Sequence, residues 1–518
     1  MAKARLKFLR SMGRLRSLPA KRNILSWGAV FAVLALGTSL RLYRLDDQSL
    51  WGDEALSLTM ARLSLSQISD ELTRHATNTF PPLYFYTLHG WLNIFGFGPL
   101  QARLLSAVCG TLAILTTFLL AKYVFDRRVG LVAALLVAIS QLNVMYSQEA
   151  RPYSLVLFLV GLSTYLFAIA LRERRAREWW CFILTCALML LTHYYAVFVV
   201  GCFILYLLRY GRLVKLPRSW LLGGGLAMML SFLPWMSFFY VQQFLREGTH
   251  VQKMIFKAQP SYFAVSKWTP VTTINFFNNG RVIGVLDDGP PWTWLVGGVL
   301  FTAPVMLAFA SLVWPSKLEP DCFHKRGTVL LGILWLVPTA IVIFIGYALN
   351  FPYDVRYVSF CTLPYYILVS RGILLLPGLV LPGSIVLMLV AYSTFSLRSN
   401  YFIPYKENYR DALRHVVSHS QESDCIISSP FGKGLPAQWF LYQYDKIRPS
   451  IRVTDVESVM SNRIHCDRLW FVAYRRVMVA IRLNEAAEKD LERSYRRVEE
   501  TKFFWVHVSV FEPKPPGS

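Results

Sequence analysis

Up to residue 396, runs of mostly apolar residues recur at about the length a helix needs to cross a bilayer. Eleven such runs predict spans at 24–42, 103–122, 129–147, 152–171, 179–193, 194–209, 220–240, 293–314, 328–349, 357–376 and 378–396. The fifth and sixth share one run, broken only by Thr192-His193-Tyr194-Tyr195. Two connecting segments, 43–101 and 242–291, are too long to be turns. In the first, Leu56, Met60 and Leu63, then Leu65, Ile68 and Leu72, follow helical spacing, and Pro81-Pro82 opens a short aromatic segment from Leu83 to Phe95. These predict amphipathic helices lying in the interface. The second is rich in Gln, Asn, Lys and aromatic residues without a clean period, and reads as a mobile lid. From Leu397 the pattern changes. Tyr409 to Ser418 predicts a helix with Leu413, Val416 and Val417 on one side; Cys425–Ser428 and Leu469–Val472 predict short buried strands; Asn484 to Val498 predicts a charged surface helix; Phe503 to Phe511 alternates as a strand does. The expected fold class is a polytopic α-helical membrane protein of about 11 transmembrane helices, followed by a small C-terminal α/β soluble domain. No internal repeat is evident.

Composition agrees. Of 518 residues, 54% are hydrophobic and 16% charged, where soluble domains carry about 25% charged. This argues against a soluble enzyme and a disordered chain, and weakens a nucleic-acid reading of the +23 net charge. Residues 1–396 carry 35 Lys/Arg and 16 Asp/Glu; residues 397–518 carry 19 and 15. Basic residues crowd residues 1–23 and alternate loops (Lys122/Arg127/Arg128, Arg172/Arg174/Arg175/Arg177, Arg209/Arg212/Lys215/Arg218, Lys317/Lys325/Arg326). The positive-inside rule then makes 1–23 a cytoplasmic basic N-terminus, 24–396 a multi-pass body in the cell (inner) membrane, and 397–518 an extracytoplasmic or periplasmic domain. The first run is long and lacks an A-x-A site, as an uncleaved anchor would. Five cysteines sit in apolar runs; Cys425 and Cys466 are free to pair if the tail is extracytoplasmic, a point the sequence leaves open. There is no G-x-G-x-x-G and no P-loop.

Acidic residues beside the predicted spans are few, so each can be weighed. Trp51-Gly52-Asp53-Glu54-Ala55 follows the first span. Asp53 and Glu54 suit the positive end of a helix; alternatively, Asp53 faces a cavity and accepts a proton from an alcohol. Tyr146-Ser147-Gln148-Glu149-Ala150-Arg151-Pro152-Tyr153 forms the turn before the fourth span. It reads either as an interfacial salt bridge with Tyr anchors or as a second acidic wall, with Arg151 binding phosphate. Arg356-Tyr357 precedes the tenth span, where Arg356 suits a lipid phosphate or the interface alone. Trp51, Tyr84, Tyr146, Tyr153 and Tyr357 are the candidate cavity aromatics. His75, His89 and His193 are candidate metal or substrate contacts, although lone histidines in such places are more often structural. No H-E-x-x-H motif exists, and the histidines beside the spans form no local pair, so a metal site there would be assembled from distant segments.

The ordered set Trp51-Gly52-Asp53-Glu54-Ala55, Phe80-Pro81-Pro82-Leu83-Tyr84, Ser147 to Tyr153 and Arg356-Tyr357 resembles the GT-C membrane glycosyltransferases of family 39 type. That group includes protein O-mannosyltransferases and the aminoarabinose transferases that modify lipid A. The resemblance implies an inverting glycosyltransferase. It would move a sugar, mannose or another hexose, from a polyprenyl-phosphate carrier to a lipid, glycan or protein acceptor on the outer face, among membrane lipids and without nucleic acid. Asp53, Glu54 and Glu149 take the catalytic acidic positions, and Arg151 and Arg356 the donor-phosphate cations. Phe80 departs from the pattern, since some relatives carry Lys or His before Pro-Pro-Leu. Part of the superfamily uses a divalent metal ion; its identity and ligands are not evident here. The alternative function is a transporter or flippase of lipid-linked substrates without transfer chemistry, for which repeated halves and broken mid-membrane helices would be expected.

Overall fold

The computed structural model describes residues 20–74, 80–214, 216–240, 273–274, 277–278, 291–313, 322–348, 353–428, 452–454, 456–461, 466–475 and 478–515. Helices stand at all eleven places the apolar runs mark. They are α1 (Ala20–Leu42), α5 (Pro99–Val124), α6 with α7 (Arg127–Ile139, Gln141–Ser147), α8 (Tyr153–Glu173), α9 (Ala176–Leu190), α10 (Ala196–Val214), α11 (Arg218–Tyr240), α12 (Pro291–Val313), α13 (Cys322–Ala348), α14 (Thr362–Leu374) and α15 (Val380–Phe402). Among the described residues five helices are each long and apolar enough to cross a bilayer, and α6 with α7 makes a sixth as a bent pair. Apolar side chains are exposed across the helical body, Phe31 on α1, Leu222 on α11, Phe344 on α13 and Leu387 on α15, as lipid contact requires. Between α1 and α5 lie three short helices, α2 (Gly52–Arg62), α3 (Leu65–Arg74) and α4 (Leu83–Phe95), where the amphipathic spacing places them. The 242–291 segment falls almost wholly outside the described residues.

The third expected span is two helices, not one. At Ser140 the backbone turns extended and the axes part by 60°. Such a break leaves carbonyls without partners, which costs several kcal/mol each in hydrocarbon. Arg41, at the end of α1, supplies them: Nη2 donates to Val137 O at 3.2 Å and Nη1 to Ala138 O at 3.1 Å. Its Nε reaches across to Ser147 Oγ at 3.1 Å. Ser140 Oγ accepts the Asn143 N–H at 3.4 Å, capping α7, and shares a hydrogen bond with Tyr366 Oη at 2.9 Å. Gly110 on α5 is required here, because a Cβ would run into Ser147 Oγ. The tenth expected span begins as a 3-10 turn (Val355–Cys361), capped by Asp354, before α14 continues it.

The tail is a five-stranded mixed sheet in the order β2-β1-β3-β5-β4. β1 (Cys425–Ser428) pairs parallel with β2 (Arg452–Thr454) and β3 (Leu469–Tyr474); β5 (Val506–Pro513) pairs antiparallel with β3 and β4 (Tyr495–Phe503). Helices α16 (Tyr409–His419), α17 (Val456–Met460) and α18 (Met478–Leu491) accompany it. Cys425 and Cys466 form a disulfide across Cα atoms 5.7 Å apart. The expected helix over Asn484 to Val498 ends instead at Leu491, and Tyr495 onward is the edge strand β4. Pairing with β5 through a hairpin overrides the helical preference of the charged run, and the solvent-facing edge accepts its Arg and Glu side chains. The start of the tail is strapped to the first outer segment. Tyr405 N–H donates to Gln48 Oε1 at 3.3 Å, and Arg410 Nη2 to the carbonyls of Asp46 at 2.7 Å and Gln48 at 2.6 Å.

Candidate active site

Adjacent residues on a helix project about 100° apart, so the Asp53-Glu54 pair in the first turn of α2 cannot face one place. Glu54 turns inward and is fully buried, while the Asp53 side chain stays 35% exposed. Arg103 from α5 grips Glu54 through both forks, Nε to Oε1 and Nη2 to Oε2, each at 2.8 Å. The Ala150 N–H donates to Oε1 at 3.0 Å and Lys406 Nζ to Oε2 at 3.0 Å. Burial would raise the Glu54 pKa, but Arg103, Lys406 and these hydrogen bonds hold it down to about 2. This geometry gives Glu54 a structural place beside the site, as a buried and fully paired carboxylate. Its acceptor capacity is taken up inside the protein, and it pins α2, α5, the Glu149 turn and the tail junction to one another.

Asp53 faces two guanidinium groups. Its Oδ2 accepts from Arg356 Nη1 at 3.1 Å and lies 3.7 Å from Arg151 Nη2. Arg151 also donates to Asp53 O at 3.2 Å and Ser57 Oγ at 3.3 Å. Arg356 is steadied by Asp354, whose Oδ2 lies 2.9 Å from its Nε. An aromatic chain joins the two cations from behind. The Arg151 Cζ sits 4.6 Å from the centre of the Phe80 ring. His193 is 5.2 Å from Phe80, Tyr195 is 5.6 Å from His193, and Tyr357 stacks on Tyr195 at 5.1 Å. The Arg356 Cζ lies 5.9 Å from Tyr357 and 5.8 Å from Trp51. Phe80, at the position where some relatives carry a cation, thus holds Arg151 by a cation–π contact. Several buried polar atoms around this cluster have no hydrogen-bond partner among the described residues: Trp51 Nε1, Tyr153 Oη, Arg151 Nε, His193 Nε2 and Glu149 Oε2.

His193 accepts the Tyr195 N–H at Nδ1 over 3.3 Å, which leaves the proton on Nε2. Burial, with the nearby charge of Arg151, pushes its pKa down to about 3, so the ring is a neutral donor. Glu149 is buried beside this group, and burial pushes its carboxyl up to about 7 against the pull of Lys406. Tyr84 and Tyr146 are buried packing partners, with Tyr146 4.8 Å from Tyr153. His89 stands apart: its ring contacts Ala61 O and the Asn93 amide, both at 2.9 Å, joining α2 to α4. His75 lies outside the described residues. Among the described residues no group of three or more His, Cys, Asp or Glu is arranged to hold a metal ion, and Asp53 faces cations instead of further ligands. The described residues around Asp53 offer guanidinium groups where a metal ion would need further ligands. Sequence reasoning missed Arg103 and Lys406; the Arg lies within a span and the Lys just past the last one, without a motif around either.

With this geometry in view, comparison places the fold. Residues 79–238 match the family described as dolichyl-phosphate-mannose-protein mannosyltransferase. No curated protein matches the sequence. The structure of ArnT from Cupriavidus metallidurans bound to undecaprenyl phosphate is similar over 93% of this chain and 98% of that one, with TM-score 0.58 and 13% identity. The archaeal oligosaccharyltransferase AglB from Archaeoglobus fulgidus, in complex with an inhibitory peptide and a dolichol-phosphate, is similar over 82% of this chain and 64% of that one, with TM-score 0.52 and 12% identity. The protein has the GT-C fold: a helical membrane body carrying a small mixed-sheet tail.

Proposed function

We propose that this chain is a glycosyltransferase that takes a sugar, mannose or another hexose, from a polyprenyl-phosphate carrier and transfers it with inversion to a lipid, glycan or protein acceptor. The observation that carries the reading is Asp53, partly exposed, facing Arg151 and Arg356. The donor's phosphate and the Asp53 carboxylate compete for the same two guanidinium groups. Donor binding draws those groups onto phosphate oxygens and releases Asp53 to act as base. Neutral N–H and O–H donors at His193 and Tyr153 complete the phosphate side. The acceptor hydroxyl gives its proton to Asp53 as its oxygen bonds the anomeric carbon; the bond from that carbon to the phosphate oxygen breaks, and the carrier leaves as an anion stabilised by Arg151 and Arg356. One displacement suffices, so no covalent nucleophile is needed.

The undecaprenyl phosphate and dolichol-phosphate named in the similar structures support a lipid carrier. The Cys425–Cys466 disulfide supports an extracytoplasmic tail, because such bonds persist in oxidising compartments. With the basic loops, it favours a cytoplasmic N-terminus in the cell membrane. The test is incubation of the purified protein with labelled polyprenyl-phosphate hexoses. Release of free polyprenyl phosphate that Asp53→Asn abolishes is expected. Movement of labelled lipid across vesicles without release, in wild type and variant alike, would replace this reading by a flippase.

A further inference from the structure

The buried ion network behind Asp53 contains a residue that the reaction as written does not use. Lys406 lies four residues past the end of the last apolar helix and is 3% exposed. Its Nζ donates to Glu54 Oε2 at 3.0 Å and to Gln148 O at 3.3 Å. Glu54 neighbours Asp53 in the chain and accepts the N–H of Ala150, which neighbours Arg151. One carboxylate thus fixes the spacing between the candidate base and a candidate phosphate cation. Arg103 neutralises that carboxylate once. Lys406 adds a second cation, and the acid left over is Glu149, whose Oε2 has no hydrogen-bond partner among the described residues. Among the described residues, the charged and titratable groups whose charge acts on Glu149 include Lys406 and Tyr405 from the tail junction, Glu54 and Asp53 from α2, Tyr146 from α7 and Arg356 from the 3-10 turn. Glu54, Glu149, Arg103 and Lys406 share one dry site, so removing Lys406 leaves the two carboxyls with Arg103 alone to compensate them there.

We infer that Lys406 is a positioning residue for the transfer: from the tail junction it balances Glu54 and Glu149 and thereby holds Asp53 and Arg151 in register. The inference rests on the proposed glycosyl transfer for its kinetic part only. The tail is then a structural component of the reaction centre, not an appended module.

The test compares Lys406→Met, Lys406→Arg and Lys406→Met/Glu149→Gln in the full-length protein in detergent. Lys406→Met is expected to lower kcat roughly 10²-fold, as a displaced catalytic group does, with the KM for the lipid donor nearly unchanged. Lys406→Arg retains activity, and adding Glu149→Gln to Lys406→Met restores about tenfold by removing the excess charge. Melting supplies a readout that needs no turnover. A carboxyl whose folded pKa is raised stabilises the fold below its unfolded pKa and loses that contribution as pH climbs through the folded value. Glu149 without Lys406 extends that loss upward, so Lys406→Met melts further below wild type at about pH 8 than at about pH 5.5, and Glu149→Gln removes the difference. A Lys406→Met protein with normal kcat, or a defect that Glu149→Gln leaves untouched in both assays, overturns the inference. If wild type transfers no sugar from any polyprenyl phosphate while the melting pattern holds, the functional reading falls and the charge-balancing role of Lys406 stands.

Discussion

Two arginine groups, one at the α8–α9 turn and one around the Asp53 cluster, are used in opposite ways. At the α8–α9 turn, Arg175 and Arg177 are 63% and 82% exposed and lean on the part-exposed Glu173 and on Glu178 from the solvent side. In the other group, Arg41, Arg103 and Arg151 are all at most 4% exposed. Exposed pairs are screened and contribute little; they serve membrane orientation, which needs only charge on one side. Buried ones must find stoichiometric partners, and that need fixes geometry. Arg41 closes a helix break, Arg103 clamps Glu54, and Arg151 is aimed at Asp53 across the Phe80 ring. A candidate active site belongs where position is enforced, and it sits where the arginines are inside.

This contrast can be tested in descending order of effect. Arg103→Met leaves Glu54 buried and under-compensated, and is expected to cost about 3–5 kcal/mol of stability, visible as a lowered melting temperature and reduced recovery from membranes. Asp53→Asn keeps the fold, since the side chain is partly exposed, and is expected to lower turnover by about 10²–10⁴-fold with little change in melting. Arg356→Ala removes one charge-assisted contact. The KM for the lipid donor is expected to rise about 10–100-fold, the equivalent of about 1.5–3 kcal/mol, and an unchanged KM would detach Arg356 from the phosphate. Replacing Cys425 and Cys466 by Ser touches neither group; a loss of about 2–4 kcal/mol is expected, confined to the tail and read by its earlier proteolysis. Arg177→Ala, in the exposed group, is expected to change neither melting nor turnover. A measurable effect there would break the contrast.

Much of this architecture is legible in the chain. Apolar runs reveal helices because a bilayer demands continuous hydrocarbon and satisfied backbones. Asp53, Arg151 and Arg356 could be singled out because charge beside a span is rare, and they prove to be mutual neighbours. What stayed hidden depends on contacts between distant segments. Asp53 and Glu54 look equivalent in sequence, and only the partners at Arg103 and Lys406 separate them. Residues 129–147 read as one helix because Ser140 is an ordinary membrane residue; the partner that permits the break is about a hundred positions earlier. The start of β4, Tyr495 to Val498, read as helix because a hairpin edge draws its stability from β5, not from its own composition.

The Arg41 bridge also bears on how the protein is made. The carbonyls at Val137 and Ala138 are quenched by a side chain that leaves the ribosome well before them. The cation that closes the break is therefore already made when α6 and α7 emerge, and the bent segment reaches its satisfied form only once it docks on α1.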